Sequence, residues 1–101
     1  MIQLLQILRK KQGIAISLHR ELMSCTPALN PEHGGIGEDE KANWIEAWLR
    51  NNGLCQVQCM DSQDQRVPRK LRPNLVAHYN PPNSECTLWI VTHMDVCASG
   101  P

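Results

Sequence analysis

An excess charge of either sign is the first thing this 101-residue chain lacks: ten Lys and Arg stand against ten Asp and Glu. A nucleic-acid binder normally carries a basic face or a high pI, so that class is set aside. The two basic clusters, Arg9-Lys10-Lys11 and Arg66-x-x-Arg69-Lys70-x-Arg72, read as solvated faces. Long apolar runs are absent too. Ile14-Ala15-Ile16 and Leu88-Trp89-Ile90-Val91 fall far short of the ~20 residues a membrane span needs. The N-terminus does not have the form of a signal peptide, because its charges follow the apolar stretch and no small-residue cleavage site comes after them. No internal repeat or low-complexity tract is present.

The five cysteines are Cys25, Cys55, Cys59, Cys86 and Cys97. An odd number without an export signal points to reduced thiols and a cytoplasmic location. If Cys55 and Cys59 share an extended strand they lie about 13 Å apart at ~3.3 Å per residue, beyond the ~7 Å that a disulfide tolerates.

What is present reads as helix, helix, strand, strand, strand. Ile14, Leu18 and Leu22 have helical spacing, which predicts a helix over 14–24. The first dozen residues form either its extension or a separate short helix broken at Gly13. Residues 25–37 hold two prolines and three glycines, which excludes regular structure. Glu38, Asp39 and Glu40 suit a helix N-terminus. Ala42, Ile45, Trp48 and Leu49 make one face, and Asn52-Gly53 ends the helix. Cys55, Val57 and Cys59 alternate with Gln56 and Gln58, as in a half-buried strand with both cysteines as small buried groups. Residues 61–73 read as a loop, Asn74–Tyr79 as a second strand, 80–84 as a turn, and Thr87–Thr92 as a third strand apolar enough to be central. The last two strands could pair as a hairpin. The expected class is α/β, with two helices packed on a mixed sheet. Trp44, Trp48 and Trp89 are expected to pack in the core or between helix and sheet.

The stretch that carries chemistry is Thr87-Leu88-Trp89-Ile90-Val91-Thr92-His93-Met94-Asp95-Val96. A buried strand would deliver His93 at its carboxyl end, where ligands bind in α/β sheets. The period of an extended chain allows Asp95 to lie on the same side. A metal-binding imidazole needs a carboxylate or carbonyl behind it to fix its tautomer. On spacing alone, a capped strand end with a satisfied His reads the same way. His19, His33 and His78 are read as surface or packing residues. Gly34-Gly35-x-Gly37 lacks the preceding strand of a phosphate loop, and its neighbours Glu38, Asp39 and Glu40 are acidic.

Thr26-Pro27-Ala28-Leu29-Asn30-Pro31-Glu32-His33-Gly34-Gly35-x-Gly37-Glu38-x-Glu40-Lys41 resembles the opening of the zinc-dependent metallopeptidase family of aminoacylases, glutamate carboxypeptidases, acetylornithine deacetylases and succinyl-diaminopimelate desuccinylases. Arg66-Val67-Pro68 with Arg72-Pro73-Asn74-Leu75-Val76-Ala77 is similar to that family's first strand region. Thr87 to Val96 looks like its first metal-binding motif. The three matches keep the family's order and cover about residues 14–96. After Val96 this chain departs from the family's usual Val-Pro-Pro-Gly-Asp with Cys97-Ala98-Ser99-Gly100-Pro101.

The resemblance implies a zinc-peptidase-like catalytic domain that hydrolyses amide bonds of peptides or N-acyl amino acids with two zinc ions, cobalt being a possible substitute. It makes His93 a metal ligand and Asp95 the catalytic-site carboxylate that supports it. The bridging carboxylate, the general-base Glu and the remaining ligands have no counterpart here. The expectation is therefore that residues 1–101 form a truncated N-terminal portion of the catalytic domain, without the lid that dimerises such enzymes, and that the portion alone is inactive. Oligomeric state stays open. The competing readings are a small zinc module using Cys55 and Cys59 with His78 or His93, and an interaction module without catalysis.

Overall fold

The computed structural model describes residues 1–24 and 31–96, without the side chain of His33. Cys25, the rest of 25–30 and the tail from Cys97 lie outside the described residues.

The first element, α1, runs Ile2–Ser24 without a break at Gly13, so the extension reading is the right one. It buries no residue at all, which corrects the expectation that both helices pack on the sheet. Ile2, Leu4, Leu5, Ile7 and Leu8 are more than half exposed. A helix this long survives on its internal hydrogen bonds and propensities, and Gly13 is its weakest link. A Cβ at Gly13 would meet nothing within 4 Å. Gly13→Ala is therefore expected to stabilise α1 by about 0.5–1 kcal/mol. Circular dichroism at the helical minimum should show the gain, and a loss of helicity would contradict it.

A single 3-10 turn at Pro31–His33 precedes α2, which spans Asp39–Asn51. Asp39 and Glu40 stand in its first turn, where the helix dipole favours negative charge. At its end the Gly53 N–H donates to the Arg50 carbonyl and the Leu54 N–H to the Leu49 carbonyl, with Gly53 at φ +93°. This is the paired-bond glycine stop expected from Asn52-Gly53.

Four short strands follow among the described residues: β1 Gln56–Cys59, β2 Ser62–Gln63, β3 Leu71–Arg72 and β4 Leu75–His78. β1 pairs antiparallel with β4, Val57 opposite Ala77, and β2 pairs antiparallel with β3. The α/β character holds. The mixed sheet becomes two antiparallel two-stranded ladders, and residues 61–73, expected as loop, contain the small β2–β3 hairpin.

Burial corrects the first strand. Only Val57 is buried in β1; Cys59 is exposed, and Cys55 lies before the strand and is exposed as well. A ladder covered by one helix on a single face has little room to bury a full alternating row. Among the described residues the buried apolar core is Ala42, Val57 and Val67.

The third strand is not formed. Thr87–Thr92 has no ladder, and the second strand pairs with β1 in place of it. Leu88 is 84% exposed, Trp89 69% and Val91 89%, so Trp89 is not a packing group. A run apolar on both faces becomes a central strand only when covered on both faces and paired along its edges. Among the described residues it stands across an open cleft from Leu75, Ala77 and the Ile45–Leu49 face of α2. No described helix is long and apolar enough to cross a membrane.

Candidate metal-ligand site

The residues around His93 are organised by the first turn of α2 and by β3. Glu38, the residue just before α2, is 3% exposed and makes no capping bond to its own helix. Its carboxylate is taken instead by Arg72 of β3. Arg72 Nε donates to Glu38 Oε2 at 3.0 Å and Nη2 donates to Oε1. This two-pronged geometry is the strong form of a carboxylate–guanidinium pair.

Two further arginines at three-residue intervals act alike. Arg69 bonds Asp39 and Asp61, and Arg66 bonds Glu32 and Asp64. The cluster read as a solvated basic face is thus spent on acids of the 32–39 stretch and of its own hairpin. The side-chain bond from Arg66 holds the Asp64 carboxyl down at about 2. The Cys59 thiol donates to Asp61 Oδ1 at 2.8 Å, and that bond raises its pKa, keeping it a thiol.

Next along the stripe is Lys41, only 7% exposed. Its Nζ donates to the carbonyl oxygen of Met94 at 3.0 Å. Met94 is the residue between His93 and Asp95.

His93 Nδ1 lies 2.9 Å from Asp95 Oδ1 and 3.0 Å from the Asp95 carbonyl oxygen. With carboxylate and carbonyl oxygens as its neighbours, Nδ1 is the nitrogen that donates, which in the neutral tautomer leaves the lone pair on Nε2. The His93 side chain is 83% exposed. The donor chemistry of the pair suits a zinc-type cation, since a carboxylate behind the imidazole fixes the tautomer and raises its basicity. The set is incomplete: no group of three or more His, Cys, Asp or Glu that could hold a metal occurs among the described residues. Cys55, Cys59 and His78 are not gathered with His93 in such a group. His78 and His19 are exposed.

The sequence reading singled out His93 and Asp95 as site residues, and it did not single out Glu38, Lys41 and Arg72. The signal was there. Glu38, Lys41, Ala42, Ile45 and Leu49 recur at helical spacing, so Lys41 sits on the apolar stripe of α2 and Glu38 continues that stripe just before the helix.

No protein-family profile matches the chain, and no solved structure matches it. Among curated proteins it is similar to an uncharacterized metallohydrolase of Methanococcus maripaludis, 33% identical over 91 residues. The match takes in 84% of this chain and 21% of that protein, so the chain spans about a fifth of the relative's length. The class this likeness points to is the metallohydrolases, without a substrate.

Proposed function

We propose that the chain carries the first metal-ligand element of a two-zinc hydrolase acting on amide bonds of peptides or N-acyl amino acids. The observation that carries the reading is the His93–Asp95 pair, in which Nδ1 is engaged at 2.9 Å and the ring is otherwise open to solvent. The likeness to a metallohydrolase supports the class, and the order of the three resembling segments supports the narrower family. In such a site two zinc ions polarise the scissile carbonyl and make water nucleophilic at neutral pH. The role of this chain's own groups is narrower. Asp95 holds the His93 proton on Nδ1, and His93 presents Nε2.

A catalytic zinc site takes about three protein ligands, and His93 supplies one. The purified 101-residue chain is therefore expected to bind zinc weakly and to turn over no amide. His93 should still be the preferred imidazole. In a zinc titration followed by NMR, its ring resonances should respond before those of His19, His33 and His78. Asp95→Ala should weaken that response by about 10- to 100-fold. Equal responses from the four rings would refute the ligand assignment. Tight one-equivalent zinc lost in His93→Ala would mean that the chain, or an oligomer of it, builds a complete site.

A further inference from the structure

We infer that Lys41 is a positioning residue for the His93–Asp95 pair, acting through the Met94 carbonyl. This rests on the reading of His93 as a ligand, but it is carried by separate observations. A lysine is almost never buried without a partner, yet Lys41 is 7% exposed in the first turns of α2. Its ammonium reaches across 53 positions of sequence to a single carbonyl, that of Met94, at 3.0 Å. Elsewhere in 88–96 the holds are few: Val96 makes an isolated β-bridge, and the Asp95 carboxylate lies within electrostatic reach of Arg72. Leu88, Trp89, Ile90 and Val91 are exposed, and no strand pairs with them.

The geometry explains why one carbonyl suffices. Pinning the peptide between His93 and Asp95 restricts the backbone that joins them. The two side chains can then meet at 2.9 Å without being held from the solvent side. Lys41 is in turn set by its helix start. Glu38, three residues before it, is locked to Arg72 of β3. The path therefore runs from β3 through Glu38 to the first turn of α2, and from Lys41 to Met94. A site held only by its own flexible loop loses the geometry that metal ligation needs, and the groups behind the ligands supply it.

Backbone 15N relaxation of the full chain, read residue by residue by NMR, tests this. Lys41→Met keeps the stem and removes the donor. It should lower the order parameters at 94–96 from the rigid range, about 0.85, toward the flexible range below about 0.6. Those of β1 and β4 should stay in the rigid range. Lys41→Arg, which can still donate, should restore most of the order at 94–96. His93→Ala leaves the Lys41 bond intact and should not reproduce the Lys41→Met pattern. Unchanged order parameters at 94–96 in Lys41→Met would overturn the inference. So would a uniform fall across β1, β4 and 94–96, or no rescue by arginine. None of these outcomes depends on zinc, so failure of the ligand reading and failure of the Lys41 inference are told apart by the zinc titration.

Discussion

Arg72→Met is expected to destabilise the described fold by about 3–5 kcal/mol, because it strands a buried carboxylate. Glu38 is 3% exposed, and its two oxygens are both taken by the Arg72 guanidinium. Without that partner the carboxylate must either stay charged in a poor medium or protonate, and both are costly. Asp64, 3.8 Å from Arg72 Nη1, cannot substitute, being acidic itself. A core of Ala42, Val57 and Val67 leaves little reserve, since small domains are marginal to begin with. Urea unfolding followed by circular dichroism should show a lower midpoint or the loss of a cooperative transition outside α1. The double variant Glu38→Leu/Arg72→Met removes both charges and should recover a large part of the loss, as replacing a whole buried pair often does. Arg69→Met, at an arginine half open to solvent, should have a small effect by comparison. A double variant as unstable as Arg72→Met alone would mean that the stranded charge is not the cause.

The sequence made the local events legible and left the sheet partners open. The α2 boundaries follow from Glu38-Asp39-Glu40 and Asn52-Gly53 because caps and stops act within one turn. β4 is found where the apolar run Leu75-Val76-Ala77 stands, within one residue of the expected ends. Its partner was misjudged. Adjacent runs favour a hairpin, but pairing is decided by where helix and strand can share cover. β1 follows α2 directly and meets β4 under it. Leu88–Val91 has a strand-like composition, yet composition does not supply neighbours, and the run stays open. The His93–Asp95 pair was readable because it is a contact between residues two apart. Lys41 to Met94 and Arg72 to Glu38 span the chain and required the fold to appear.

Gly37→Ala is expected to be the other severe change, at about 2–5 kcal/mol, from two causes that can be separated. The first is the backbone. Gly37 has φ +96°, a conformation that costs an L-residue about 1–2 kcal/mol. The second is space. A Cβ at this position would lie 3.1 Å from Val67 Cγ1 and 3.5 Å from Val67 Cβ. Val67 is 3% exposed and sits in the 64–70 loop, where its N–H donates to the Asp64 carbonyl and its own carbonyl accepts from Lys70. These bonds fix its backbone and its side chain is buried, so overpacking is expected to add about 1–3 kcal/mol. Gly34→Ala is the control: φ is +79° and nothing lies within 4 Å of the added carbon, so only the backbone share should appear. Val67→Ala frees the space, and the pair Gly37→Ala/Val67→Ala should be less unstable than the two single losses added together. Strict additivity would mean that the crowding against Val67 contributes nothing. Because Gly37 directly precedes Glu38, a shift here moves the start of α2 and with it Lys41. Gly37→Ala should therefore also lower the 15N order parameters at 94–96, even where the global loss has been offset by a stabilising osmolyte.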